Sequence, residues 1–257
     1  MKKKAIHKIR THRKKKGYFK LILCLIILAM LAFIAFYKYH YRPRGTEINK
    51  KNHPVTGIDI SKHNGNIDWN TIKVQEIDFV FIKATEGENY ADPTYKKNLN
   101  NALEADIPVG AYHFFSFDKD GDKQALNFLK NCQVHKLTLP LVIDVEEGNK
   151  FTAKPNKSVV LKNLRQMIHS IEKITNQKVI IYANEHTYQK YIEENFPTNK
   201  LWISSFNDPP KVKCQWLFWQ YTHKGKIEGI DHLVDINTFG GDRESWYKYL
   251  EDLENQY

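Results

Sequence analysis

From Val55 onward the chain carries eight short apolar segments, and this recurrence limits the folds open to it more than any other feature. The segments are 55–60 (VTGIDI), 78–84 (DFVFIKA), 108–114 (PVGAYHF), 140–146 (PLVIDVE), 178–183 (KVIIYA), 201–205 (LWISS), 216–221 (WLFWQY) and 232–236 (HLVDI). Their length and β-branched or aromatic content read as strands. Helices are expected over 94–105, 120–134, 156–175, 186–193 and 243–254. Within 159–174, Val160, Leu164, Met167, Ile168 and Ile171 recur three or four apart, the period of an amphipathic helix. Strands alternating with crossover helices predict an α/β fold, and eight of them predict a closed barrel. The last three lie too close together for full helices, so the final units should be degenerate. A doubly wound open sheet is the alternative, but no Gly-rich strand-to-helix fingerprint supports a nucleotide site in it.

The basic excess sits at the front of the chain. The net charge is +10, yet residues 1–20 alone hold ten Lys or Arg and no acid. Residues 55–257 carry 24 basic and 28 acidic groups, a net −4. Such a body does not attract phosphate backbones, and no nucleic-acid partner is expected. After the basic block comes an unbroken apolar run, Leu21 to Phe36. At 1.5 Å per residue it covers about 24 Å, short of the roughly 30 Å hydrocarbon core. Tyr18 and Phe19 before it, and Tyr37, Tyr39 and Tyr41 after it, extend the run, and Lys20 can snorkel. A cleaved signal peptide is the competing reading, but bulky residues crowd 32–41 where a small-residue cleavage site belongs. Cys24, preceded by Leu23, does not suit a lipoprotein.

The expected organisation is a basic cytoplasmic tail (1–20), a single transmembrane helix as anchor (21–37), a polar linker (38–54) and a barrel domain (55–257). The charge asymmetry keeps the N-terminus in the cytosol and the body on the extracytoplasmic side of the lipid bilayer. The apolar run has no Gly-containing small-xxx-small pattern, so a monomer is expected.

Buried parallel strands are nearly continuously apolar, so polar residues near their C-terminal ends need a reason. They recur here as Asp59, Lys83, Asp144, Glu146, Gln220 and Asp235. In a barrel that edge is the face where chemistry is built. The sharpest case is Leu141-Val142-Ile143-Asp144-Val145-Glu146. Alternation puts Asp144 and Glu146 on one face with Cβ atoms roughly 6–7 Å apart. Two carboxylates so close in a desolvated cleft resist double ionisation, and the retained proton suits protonation of a glycosidic oxygen. A solvated acidic strand end is the bland alternative. Asp59 on the first strand and Asp235 on the last should converge, since those strands are neighbours in a closed barrel. Four acids at one mouth also suit a hard cation such as Mg²⁺. Against that, Tyr112, Tyr182, Trp202, Trp219 and Tyr221 crowd the same ends and suit stacking on sugar rings as a row, although each one alone is more readily read as core. No metal or cofactor is therefore expected. Lys83 reads either as a groove residue or as an ion-pair partner of the acids. His63 and His113 have no Ser or Cys at triad spacing. Cys132 and Cys214 could bridge in an exported body, but their placement offers no geometry for it.

These residues carry a pattern that resembles the glycoside hydrolase family 25 lysozymes, N-acetylmuramidases of the Chalaropsis type. The matching pieces, in order, are Gly57-Ile58-Asp59-Ile60-Ser61, Phe79 to Gly87, Gly110-Ala111-Tyr112-His113-Phe114, Leu141 to Glu146, Phe218-Trp219-Gln220-Tyr221 and Val234-Asp235-Ile236-Asn237. The resemblance covers residues 55 to about 250. It implies a modified TIM-like (β/α)5(β)3 barrel that cleaves the β-1,4 bond between N-acetylmuramic acid and N-acetylglucosamine in peptidoglycan. It also implies that Glu146 is the proton donor, Asp144 its supporting carboxylate, and Asp59 and Asp235 the other active-site acids. Lys83, Tyr112 and Gln220 would line the substrate groove, beside the aromatics Tyr182, Trp202 and Trp219. Unlike a freely diffusing lysin, this chain carries an expected anchor and no repeated wall-binding module after the body.

Overall fold

The computed structural model describes residues 25–34, 36, 48–147, 156–206 and 208–255. The chain divides into two units, Met1–Arg44 and Gly45–Tyr257. In the first, residues 25–34 are helical with Leu25, Leu28, Met30 and Phe33 exposed. Among the described residues no helix is long and apolar enough to cross a membrane. The expected tail (1–20), both ends of the expected anchor and most of the linker lie outside the described residues.

The second unit is the expected barrel. Its strands are β1 (Thr56–Ile60), β2 (Phe79–Glu86), β3 (Tyr90–Ala91), β4 (Val109–Phe114), β5 (Leu141–Val145), β6 (Ile180–Asn184), β7 (Lys200–Ser204), β8 (Trp216–Gly225) and β9 (Val234–Phe239). The sheet runs β1-β9-β8-β7-β6-β5-β4-β2-β3, and β1 also pairs with β2. Eight strands thus close on themselves, and β3 only hairpins back on the end of β2. Helices α1 (Trp69–Lys73), α2 (Tyr95–Glu104), α3 (Gly121–Asn131), α4 (Lys157–Thr175), α5 (Glu185–Thr187, continued by a π-helical turn Tyr188–Ile192) and α6 (Arg243–Glu254) surround it. Side chains close their N-termini: Asp120 accepts from Lys123 N, Asn156 from Ser158 N and Asp242 from Ser245 N, each cap contributing about 1 kcal/mol.

One strand departs from the expected geometry. β9 runs antiparallel to both β8 and β1, so Asp235 lies near its start rather than its end. Reversal brings that start to the rim where the parallel strands finish, and Asp235 pairs directly with Asp59. The chain could reverse because only the short segment between Gly225 and Val234 joins β8 to β9; a parallel return would need a crossover of a dozen or more residues.

The core forms two shells. The outer one packs the helices on the outward faces of the strands, with Ile58, Val80, Ile82, Ile143, Val145 and Ile181 fully buried. The inner shell fills the barrel with Phe79, Phe81, Val142, Ile180, Trp202 and Phe218. Phe81 stacks on Trp202 at 4.6 Å and Phe79 packs against Phe218 at 5.0 Å. These rings fit because the facing positions are bare: a Cβ on Gly57 would lie 2.2 Å from the Phe79 ring, and one on Gly110 would lie 2.2 Å from that of Phe81. Trp246 of α6 closes the end opposite the rim, 5.3 Å from Phe79. Arg243 pins this helix through Asp78 and donates to Pro54 O at 2.7 Å. His53, at the end of the expected linker, meets Trp219 edge-on at 5.5 Å. Cys132 and Cys214 are both free thiols: Cys132 is buried against the Tyr95 hydroxyl, while Cys214 is exposed.

Candidate active site

The strand alternation that lines the lower barrel with rings lines its upper rim with polar groups. Two residues beyond Phe81 stands Lys83, beyond Val142 stands Asp144, beyond Ile180 stands Tyr182, and beyond Phe218 stands Gln220. They share one cleft with Asp59, Tyr112, Glu146, Trp202 and Asp235, so nine of the ten residues expected at the site come together. Trp219 does not. It is odd where Gln220 is even on β8, so its ring faces outward into the helical shell, 1% exposed, with Nε1 donating to Ser205 O at 2.8 Å. A one-residue step along a strand reverses the face, and Trp219 is corrected from groove to core. Tyr221 is on the same outward face. Ser61, His63 and Phe114 also line the cleft. The i,i+2 spacing from Asp59 and Tyr112 is the signal that would have named Ser61 and Phe114.

Asp59 is the most heavily hydrogen-bonded of the four cleft acids. Its Oδ2 accepts from Gln220 Nε2 at 2.9 Å and from Asn237 Nδ2 at 2.8 Å. Asn237 is oriented in turn by Trp202, whose indole N–H donates to its Oδ1 at 2.9 Å. Asp59 is 7% exposed, and burial raises its pKa against the lowering effect of those amides. Opposite it, burial and then the Asp59 charge push Asp235 up to about 9. The contact between the two facing carboxyls lowers Asp59 and raises Asp235, so Asp235 is the one that holds its proton more tightly.

Asp144 and Glu146 form the second acidic pair. Burial, then the neighbouring Glu146, push Asp144 well above the carboxylate range, while the Lys83 ammonium acts the other way. Its Oδ1 is buried without a hydrogen-bond partner. Burial likewise raises Glu146; the Asn184 amide favours its ionised form, and the Tyr182 hydroxyl stands 3.2 Å from its Oε1. Glu146 is the less buried of the two, standing at the strand end where an incoming ligand meets it. Lys83 is paired with Glu86 at 2.7 Å and sits 4.8 Å from the centre of the Phe114 ring, so it serves both as an ion-pair partner and as cleft lining.

Just past Glu146 the chain is clamped from outside the cleft. Glu147 accepts from Lys190 Nζ and from the Tyr191 hydroxyl at 3.0 Å, with His186 at 3.7 Å. The hydrogen bond from Lys190 is the main reason its carboxyl is held below the usual range. Lys190 and Tyr191 sit on the π-helical turn, a form often found beside functional sites. His113 faces the outer shell and takes no part in the cleft. Thr85 and Gln124 occupy its two ring nitrogens, and burial pushes it down to about 3. Among the described residues no group of three or more His, Cys, Asp or Glu is arranged to hold a metal ion.

A closed barrel with four carboxyls and two tyrosines in one cleft fits acid-catalysed cleavage of a glycan. The sequence profile of the glycosyl hydrolases family 25 matches residues 58–230. The chain belongs to that family. It is a glycosidase by membership. A solved family 25 glycosyl hydrolase from Bacillus anthracis is 38% identical, with a TM-score of 0.73, covering 79% of this chain and 95% of that one. Lysozyme M1 of Streptomyces globisporus is 32% identical over 200 residues, 73% of this chain and 68% of its own length. The Escherichia coli K12 protein YegX, uncharacterized itself, is 31% identical over 84% of this chain and 81% of its own. The family 25 barrel is the fold that the sequence resemblance implied.

Proposed function

We propose that the chain is a peptidoglycan hydrolase that cleaves the β-1,4 bond between N-acetylmuramic acid and N-acetylglucosamine, with Glu146 as general acid. The observation that carries this reading is the pair formed by Asp144 in β5 and Glu146 just past its end, which share one cleft and are both raised by burial, Glu146 being the less buried. Glu146 donates its proton to the leaving sugar oxygen as the C1–O bond breaks, since a carboxyl still protonated near neutral pH is the group suited to that transfer. Asp144 is the supporting carboxylate, raised by burial and by Glu146 and favoured in its ionised form by the Lys83 ammonium. It steadies positive charge developing at the sugar, either directly or through the substrate's 2-acetamido group. Asp59 and Asp235 shape the field around both. Tyr112 and Tyr182 give the cleft apolar surface for a sugar ring above the buried Trp202, and Lys83 supplies a polar contact beside Gln220.

The apolar run 21–37 with its basic flank supports a single-pass anchor. The N-terminus is then cytoplasmic, and residues 38–54 tether a monomeric enzyme on the outer side of the bilayer, facing the wall. Digestion of purified peptidoglycan beside chitin oligomers tests the substrate assignment. The expected result is new reducing ends from peptidoglycan alone; release from chitin at an equal rate would overturn it. Detergent-dependent extraction of the full chain from membranes tests the anchor, and recovery in the aqueous fraction would contradict it.

A further inference from the structure

The polar atoms beneath the cleft form a chain whose donor directions are fixed from one end. An indole N–H can only donate, so Trp202 turns Asn237 Oδ1 toward itself and Asn237 Nδ2 toward Asp59. Gln220 gives its Nε2 to the same Asp59 oxygen, which leaves its Oε1 facing the Tyr182 hydroxyl at 2.9 Å. A phenol has one proton, and here it is committed to Gln220. Tyr182 Oη also lies 3.2 Å from Glu146 Oε1. With its proton committed, the phenol oxygen can only accept there. Its lone pairs suffice for both Glu146 and the Ser204 hydroxyl, which approaches the same atom. An ionised Glu146 has nothing to donate, so the contact is a hydrogen bond only when Glu146 carries a proton.

We propose that the chain Trp202–Asn237–Asp59–Gln220–Tyr182 keeps the proton on Glu146 in the free enzyme, with Gln220 and Tyr182 as positioning residues for it. This rests on the reading of Glu146 as the acid. The charged and titratable groups facing it are Asp59 on β1, Lys83 on β2, Tyr112 on β4, Asp144 on β5, Asp235 on β9 and His63 after β1. Asn184 opposes the chain: Thr187 occupies its Oδ1, and its amide hydrogen-bonds the Glu146 carboxyl, favouring the ionised form. No proton passes along the chain. It sets which partner of the Glu146–Tyr182 contact donates.

The basic limb of kcat/KM against pH reports the acid in the free enzyme. It is measured on solubilised peptidoglycan glycan strands with the full chain. Gln220→Met frees the phenol proton to turn onto Glu146 Oε1 and stabilise its ionised form. The limb should fall by about one pH unit, the scale of one buried hydrogen bond gained or lost. Adding Tyr182→Phe removes the donor and should recover at least half of that shift. Gln220→Glu, held protonated beside Asp59, keeps a donor to Asp59 and an acceptor for Tyr182, so its limb should stay at or above the wild-type position. This variant also serves if Gln220→Met does not fold. An unmoved limb in Gln220→Met, no recovery in the double variant, or a fall in Gln220→Glu equal to that in Gln220→Met would each overturn the proposal. Turnover by Glu146→Gln would instead remove the acid assignment itself, so the two failures are distinguishable.

Discussion

The lower and upper halves of the barrel interior are built from alternate positions of the same strands, and they differ in what burial does to them. Below, Phe79, Phe81, Phe218, Phe239 and Trp246 meet ring to ring, and every contact favours the folded state. Above, Asp59, Asp144, Glu146 and Asp235 are driven into the same low-dielectric space, and burial is the largest influence raising each of their pKa values. One half stores stability and the other uses it. A carboxyl raised in this way is a stability cost at high pH and a proton donor near neutrality, so the two halves should respond oppositely to substitution.

The sharpest way to test that contrast is Glu146→Gln. It should lower kcat/KM on peptidoglycan by about 10³-fold, within the span attributed to general acid catalysis, and leave the melting temperature unchanged or slightly higher. The mirror experiment is Trp246→Ala. Emptying the lower plug should cost about 3–5 kcal/mol by denaturant unfolding, while the pH profile of the remaining folded enzyme stays in place. Gly110→Ala probes the same half more gently. Its new methyl enters the space of the Phe81 ring, and a loss of about 1–3 kcal/mol is expected. A variant as stable as the parent would show that the rings have slack.

The remaining expected effect lies in pH linkage. Asp235 binds its proton more tightly folded, at about 9, than unfolded, near 3.8. The folded state therefore holds more protons between those values, and stability falls as pH rises from about 4 toward 9. Asp235→Asn removes this contribution. It should raise the melting temperature at pH 8 by about 2–4 °C for each kcal/mol regained and change it little at pH 4. A gain of equal size at both pH values would show that the carboxyl's charge is not what burial resists.

Most of the architecture was legible in the sequence because it is local. Segments such as LPLVIDVE and the 3.6-residue period of 159–174 mark β5 and α4 within a residue or two of where they lie. The short α1 and the two-residue β3 went unread; five and two residues are too few to establish a period. Pairing direction was also illegible, since nothing within HLVDINTF says whether its neighbours run with it or against it. Sequence alone therefore suggests the wrong end of the strand for Asp235, although it does place that residue beside Asp59. Aromatic type points Trp219 at the groove, whereas its parity on β8 points it away. An inward Gln220 alone sends its neighbour outward. Asn237 stood in a matching motif without a role, because its meaning comes from Trp202 and Asp59, 35 and 178 residues away in sequence. The Glu147 clamp depends on a π-helical turn that periodicity does not announce.

The measurement closest to the central claim is mass analysis of the glycan ends released from purified peptidoglycan by the wild-type chain and by Glu146→Gln. Wild type should leave N-acetylmuramic acid at the new reducing ends, and the variant should leave essentially none. N-acetylglucosamine at those ends, or muramic ends from the variant at the wild-type rate, would contradict the account.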